Sequence, residues 1–294
     1  MWSERFAPAK VNLFLHVGPV SDDAYHPVCS LMVFADVGDV VRIRDAPVMT
    51  FAIEGPFAGE LGRQGDNLVT RARDDLIASL RRSTTPFGLM LYKRLPIAAG
   101  LGGGSADAAA TLELIAQRLV AEGGADLGRD ALGEIARELG ADVTACLKSK
   151  SVIGRGRGDN LSPAPALPVL HAVLVNPLAP CPTGAVYGAF DAAPPGPGAN
   201  EPDVTGTLDS VAEVTAWLGT TRNDLEAPAL IVQPLIADVL GALRSAPETA
   251  FARMSGSGAT CFAITADAAS ASVLAARIAA DRPDWWVAAC RFGA

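Results

Sequence analysis

Apolar residues recur along this chain in two rhythms, one that suits strands and one that suits helices. Ala7 to Val17 reads as a strand, as do Val40 to Arg44 and Thr50 to Ile53. In the first of these, alternation places Lys10, Asn12 and Phe14 on one face and Val11, Leu13 and Leu15 on the other. Asn67 to Leu80 carries Leu68, Ala72, Leu76 and Leu80 on one stripe and predicts a helix. Phe87 to Leu95 is a mostly apolar strand pattern that ends near Lys93-Arg94. After a glycine-rich run, Ala108, Ala109, Leu112, Ile115, Ala116 and Leu119 return at helical spacing. Asp130 to Leu139 predicts another helix, with Gly140 in the C-terminal cap position.

Ser162 to Pro168 is a proline-rich break, which divides the chain into residues 1–163 and 164–294. Beyond it His171 to Val175 predicts a buried strand, and Pro194 to Pro202 a mobile surface loop. Leu208 to Leu218, Leu230 to Ser245 and Ala268 to Ala280 predict helices. Phe251 to Arg253, Thr260 to Thr265 and Trp286 to Arg291 predict strands. No internal repeat is present, and the mixed order without dinucleotide-fold signals predicts an α+β class.

Composition narrows the function. The 294 residues are half hydrophobic and 19% charged, which fits a globular chain with a substantial core. A net charge of −8 argues against a nucleic-acid surface, because phosphate backbones need clustered lysine and arginine. Arg81-Arg82 and Lys93-Arg94 read as solvated ends of elements. No run reaches the roughly 18–20 apolar residues of a membrane span, and Met1 to Arg5 offers no signal-peptide core. Five scattered cysteines, none in Cys-x-x-Cys spacing, suit reduced thiols in the cytoplasm and supply no zinc site. Cys261 sits in an apolar run and reads as core.

The richest chemistry lies at Leu95 to Ala106, Leu-Pro-Ile-Ala-Ala-Gly-Leu-Gly-Gly-Gly-Ser-Ala, between a strand and a helix. A loop with few side chains that opens a helix lets backbone N–H groups approach an anion, and the helix end adds roughly half a positive charge. Phosphate is the fitting guest. The loop lacks the lysine of a Walker motif and the third glycine of a dinucleotide fingerprint. Read alone, it is equally a flexible turn with Ser105 as an ordinary N-cap.

Other short pieces carry two readings each. Lys10 and Asn12 lie either on a solvated edge or in a polar site, since an unpaired buried ammonium is costly. Asp22 to His26 is a turn that sets Tyr25 beside His26. Asp142, in Gly140-Ala-Asp-Val-Thr144, either caps a short helix or presents a carboxylate for chemistry. Met254 to Phe262 is a second glycine-rich turn between strands, and Gly154 to Asp159 a third.

Together these pieces resemble one family. Ala7-Pro-Ala-Lys-x-Asn12, Tyr25-His26, Leu95-Pro-x-x-x-Gly-Leu-Gly-Gly-Gly-Ser105, Gly140-Ala-Asp-Val143, Gly156-x-Gly-Asp159 and Ser255-Gly-Ser-Gly-Ala259 stand in the order found in the GHMP kinases. These are small-molecule kinases named for galactose, homoserine, mevalonate and phosphomevalonate. The combination of Pro-Ala-Lys-x-Asn with Tyr-His is similar to the branch that phosphorylates the 2-hydroxyl of 4-diphosphocytidyl-2-C-methyl-D-erythritol in the non-mevalonate isoprenoid pathway. The chain departs from that pattern at Ala24, where glycine is usual, and at Thr144, where proline is usual.

The resemblance implies a GHMP-kinase fold, with a ribosomal protein S5 domain 2-like N-terminal domain packed on a ferredoxin-like C-terminal domain. It implies ATP as co-substrate, with Mg²⁺, and a cytidine-diphospho-methylerythritol as the second small molecule. Nucleic acid and membrane are not expected partners. By the same resemblance Pro96, Ile97, Ala98, Ala99, Gly100, Leu101, Gly102, Gly103, Gly104, Ser105 and Ala106 bind ATP, Ser105 reaching phosphate or Mg²⁺. Lys10 and Asp142 are the catalytic pair. Asn12, Tyr25, His26, Tyr187, Gly256, Ser257 and Gly258 bind the second substrate. The rival readings are a homoserine- or mevalonate-type GHMP kinase and a non-catalytic nucleotide-binding relative.

Overall fold

The computed structural model describes residues 1–22, 25–61, 67–80, 83–124, 126–194, 196–204 and 206–293. Asp23 and Ala24 of the Tyr25-His26 turn, Arg81-Arg82 and Pro195 lie outside the described residues. The chain folds as two compact units. The first comprises residues 1–9, 38–97 and 102–149, and the second residues 10–37, 98–101 and 150–294.

In the first unit the outer half of β2 (Val28–Asp45) pairs antiparallel with β4 (Phe87–Tyr92), from Val40 opposite Tyr92 to Asp45 opposite Phe87. β3 (Thr50–Glu54) runs parallel to β4. Four helices complete the unit: α1 (Leu68–Ser79), α2 (Gly103–Ala121), α3 (Gly128–Leu139) and α4 (Ala141–Lys148). α1 begins where expected because the Asn67 side chain accepts the Val69 N–H at 2.8 Å. α2 is the central helix, packed by both α1 and α4. It buries Ala106, Ala108, Ala109, Leu112, Ile115 and Leu119, with alanines allowing close approach. Each buried leucine or isoleucine contributes about 1.5–3 kcal/mol.

The second unit contains a four-stranded antiparallel sheet in the order β10 (Trp286–Phe292), β7 (Leu170–Asn176), β9 (Cys261–Thr265), β8 (Thr249–Met254). Helices enter between β7 and β8, and α9 (Ala268–Asp281) lies between β9 and β10. That chain order and strand order make the split βαβ of a ferredoxin-like fold, as expected. α8 (Leu235–Ser245) packs on β8 and β9, and α9 on β7 and β10. Leu15, Val173, Val175, Ile236, Leu240, Ala263 and Leu274 fill its core, with Cys261 wholly buried among them. The unit also holds the inner half of β1 (Ser3–Val17), the first part of β2 and the hairpin β5 (Val152–Gly156)–β6 (Asn160–Pro163). β5 pairs antiparallel with β2 from Val28 to Met32.

Two sequence expectations need correction, and two open alternatives are decided. The single helix over Leu230 to Ser245 is two, α7 (Glu226–Val232) and α8, because Pro234 lacks an N–H and forces Gln233 into extended backbone. Lys93 is no solvated end: only 2% of it is exposed. Ser105 is not the N-cap of α2, which is Gly102. Lys10 and Asn12 are not on a solvated edge, at 5% and 3% exposed. Two further helices are α5 (Thr183–Asp191) and α6 (Val211–Gly219). α5 was not foreseen, since Gly184 and Gly188 leave it without a helical stripe. Among the described residues no helix is long and apolar enough to cross a membrane.

Candidate active site

The second unit gathers pieces from both ends of the chain around β1. The Lys10 ammonium donates to Asn12 Oδ1 at 2.9 Å. The Asn12 amide donates to Ser30 Oγ at 2.6 Å, and that hydroxyl passes its own hydrogen to Phe14 O. Both ends of the Asn12 side chain are therefore engaged, and Lys10 is held at a defined place. The glycine-rich loop is tied to the same strand, since Lys10 N–H donates to Leu101 O at 2.8 Å.

The turn between β8 and β9 meets this loop. Asn12 N–H donates to Ser255 Oγ, which donates in turn to Gly100 O, and Thr260 N–H donates to Ala99 O at 3.1 Å. Gly100 has φ +73°, and a Cβ there would stand 2.4 Å from Ser255 O. Only glycine fits. Asn223 Nδ2 donates to both Met254 O and Gly256 O, at 2.9 and 2.8 Å, and so sets the shape of the turn. Ser257 is fastened by Thr183 Oγ1 at 2.8 Å and its carbonyl by Cys181 Sγ. Behind the turn, buried Arg253 donates to Leu13 O, Leu218 O, Thr221 O and Thr221 Oγ1. Burial pulls its guanidinium down to about 10, with Glu226 pushing it back up and Arg244 pulling it down.

Sequence reasoning named Gly256, Ser257 and Gly258 but missed Ser30, Asn223 and Ser255. Ser255 stands inside a quoted motif, whereas Ser30 and Asn223 gave no local signal.

The aromatic residues lie in the same unit. His26 Nδ1 donates to Gly18 O at 2.9 Å, and Nε2 stands 3.2 Å from Asp191 Oδ1. Tyr187 and Phe190 of α5 flank the imidazole, with ring centroids 5.1 and 5.5 Å away. Tyr25 is exposed, and the Arg157 guanidinium lies 3.9 Å from its ring centre.

The first unit holds Pro96, Ile97 and residues 102–149. Gly102 caps α2 with φ +58° and brings no capping side chain, so the first N–H groups of the helix are not taken by a cap. Gly103, Gly104 and half-buried Ser105 form its first turn. Asp142 lies in the first turn of α4, two residues after Gly140, the N-cap. A carboxylate is favourable at that helix end. Asp142 is thus not itself the cap, and Thr144 Oγ1, two residues on, is buried without a hydrogen-bond partner among the described residues.

Lys93 Nζ donates to Asp39 Oδ2 at 2.5 Å and to Asp107 Oδ2 at 2.9 Å. Burial alone would lower the lysine, but Asp107 and Asp39 outweigh it and hold the ammonium charged. Asp107 is pushed up to about 7 by burial first, Lys93 pulling it down and Asp39 raising it. Asp39 accepts three donors, while Asp107 Oδ1 has no hydrogen-bond partner among the described residues.

Known proteins agree with this architecture. The GHMP kinases N terminal domain matches residues 67–150, and GHMP kinases C terminal matches residues 205–283. The chain is 55% identical over 291 residues to 4-diphosphocytidyl-2-C-methyl-D-erythritol kinase of a Caulobacter species, covering 99% of this chain and 98% of that one. It is 53% identical over 287 residues to the kinase of the same name from Caulobacter vibrioides, covering 97% and 98%. A crystal structure of 4-(cytidine 5'-diphospho)-2C-methyl-D-erythritol kinase matches with a TM-score of 0.75 at 31% identity, over 99% of this chain and all of that one. Homoserine kinase from Cytophaga hutchinsonii shares the fold at 19% identity, with a TM-score of 0.68 over 99% and 94%. The chain belongs to the GHMP kinases, within the family of 4-diphosphocytidyl-2-C-methyl-D-erythritol kinases.

Proposed function

We propose that the chain transfers the γ-phosphoryl group of ATP to the 2-hydroxyl of 4-diphosphocytidyl-2-C-methyl-D-erythritol. The observation that carries this reading is the buried Lys10–Asn12 pair, bonded through the Lys10 main chain to Leu101 of the glycine-rich loop. In this proposal Pro96 to Ala106 takes the ATP phosphates on main-chain N–H groups and the α2 N-terminus. Lys10 neutralises charge that develops on the transferred group, and Asn12 and Ser30 keep its ammonium in place. Asp142 faces the acceptor hydroxyl. A carboxylate is a weak base for an alcohol, but phosphoryl transfer passes through a loose transition state that needs little early proton removal. Positioning and charge neutralisation then do most of the work.

Tyr25, His26 and Tyr187 hold the cytosine, and Gly256, Ser257 and Gly258 the diphosphate side. Mg²⁺ enters with ATP: the half-buried Ser105 hydroxyl in the first turn of α2 is a hard oxygen donor that suits it. When bound, the ion would offset phosphate charge. The sequence division at 163/164 belongs to the same proposal and is supported by family matches on either side of it. We also assign the enzyme to the cytoplasm, without a nucleic-acid or membrane partner. The acidic net charge and five buried cysteines, none of them in a disulfide, support this.

A coupled ADP-release assay with the cytidine-linked alcohol, free methylerythritol phosphate, homoserine and mevalonate tests the reading. Turnover confined to the cytidine conjugate is expected. Equal or better turnover of a free alcohol would move the chain to another branch, and no ADP release with any of them would leave a nucleotide-binding relative.

A further inference from the structure

Lys93 stands two residues before the glycine-rich run that opens at Leu95, and the proposed chemistry does not use it. Its side chain is 3% exposed, and the two carboxylates it binds are no more exposed than that. Its main chain is fixed as well: the N–H donates to Glu54 O at 2.7 Å, and its carbonyl accepts from Phe57 N–H at 3.3 Å. Asp39, on β2, does two things at once. One oxygen takes the Lys93 ammonium, and the other accepts the main-chain N–H groups of Arg94 and Leu95 at 2.6 and 2.9 Å. Asp107, on the second turn of α2, holds the same ammonium from the helix side.

The cluster lies against the start of that helix. A Cβ added to Gly103 would stand 3.0 Å from Lys93 Nζ and 3.6 Å from Asp39 Oδ2. Glycine at 103 thus lets the charges approach the first helical residue. Three segments are locked by charge-assisted bonds: a strand, the chain entering the loop, and the helix leaving it. Burying one ammonium and two carboxylates is a poor way to gain stability, because apolar side chains of similar volume are commonly as good or better. A fixed direction is what such a cluster supplies and an apolar core does not. A phosphate site made of main-chain N–H groups depends on direction, since its donors must converge on one anion.

We propose that Lys93, shared between Asp39 and Asp107, is a positioning residue for ATP that aligns the loop entrance with the first turn of α2. This rests on the reading of Pro96 to Ala106 as the ATP loop. Lys93→Met keeps an unbranched side chain and removes the charge. Asp107→Asn keeps the shape and one acceptor.

For each purified variant, thermal unfolding, kcat, the KM of both substrates and calorimetric binding of a non-hydrolysable ATP analogue are measured. Lys93→Met is expected to weaken ATP in KM and Kd about 10-fold or more, with KM for the cytidine substrate within about twofold of wild type. Asp107→Asn is expected to weaken ATP about threefold. A role confined to stability would lower Tm or the active fraction and leave ATP affinity alone, and that result overturns the proposal. Equal weakening of both substrates overturns it too. If Lys93→Met does not fold, Asp107→Asn decides, and unchanged ATP affinity there is the refuting result. Gly103→Val is the control for the underlying reading: if it binds ATP normally, the loop assignment itself is wrong.

Discussion

Asn12 and Ser255 stand 243 residues apart, and the main-chain N–H of Asn12 donates to the Ser255 hydroxyl at 3.1 Å. The same hydroxyl donates to Gly100 O at 2.9 Å. One side chain thus joins β1, the β8–β9 turn and the glycine-rich loop. Ser255→Ala would leave a buried N–H and a loop carbonyl without a partner, a cost of about 1–3 kcal/mol. The expected result is a Tm lower by several degrees together with a raised KM for ATP. Wild-type values of both would show that the bond is replaceable.

Asp142→Asn is expected to keep the fold and ATP binding while lowering kcat by about 10²-fold or more, as loss of a positioned base commonly does. Lys10→Ala is expected to lose kcat as well, and the double variant to be little worse than either single one if the two act as a unit. Steady-state kinetics on all three proteins tests this. Near-normal turnover of Asp142→Asn would remove it from the mechanism.

Gly100→Ala places a methyl group 2.4 Å from Ser255 O in a residue with φ +73°. The loop must shift, and ATP affinity measured by calorimetry is expected to fall at least tenfold. Gly104→Ala is the milder change, since its Cβ would meet only Leu68 Cδ1 at 3.5 Å. Equal effects at both positions would count against the tight fit at Gly100.

Tyr25→Ala and Tyr187→Ala are each expected to raise KM for the cytidine substrate about 10-fold, with KM for ATP nearly unchanged. Stacking on an aromatic contributes roughly 1–3 kcal/mol per base in nucleic-acid complexes, and that is the scale expected for the proposed cytosine contacts. Losses confined to ATP would contradict the assignment of these residues to cytosine.

His16 gives a pH dependence of stability. Burial holds its imidazole below the ordinary 6.5; Asn200 O acts to raise it, and Arg222 lowers it. Nδ1 faces Asn200 O at 2.5 Å, and Nε2 accepts the Arg222 N–H at 3.3 Å, so the neutral ring fits both partners. The unfolded chain therefore binds more protons than the folded one in the window below pH 6.5. Stability is full above that value and falls as pH drops through the lower folded value. Urea midpoints measured from pH 7.5 to 5 should show this slope, and His16→Gln should lack that part of it. An identical slope in the variant would exclude His16 as its source.

The amino-acid sequence by itself determined what depends on neighbours a few residues apart. The glycines of Leu95 to Ala106 and the helical spacing after them mark a loop that opens a helix, because backbone freedom and periodicity are local properties. Alternation around Lys10 and Asn12 set which residues share a face, but left open whether that face met water. The tertiary structure decided that, through a Ser30 hydroxyl 18 residues away. It likewise buried Lys93, which reads as a charged strand end, because its partner Asp39 lies 54 residues back. Ser255 and Asn223 became parts of the site in the same way, by bonds to main-chain groups that no local pattern predicts. Periodicity reports the side on which a residue lies. Whether a polar group there is solvated or buried depends on the donors and acceptors that distant segments bring to it.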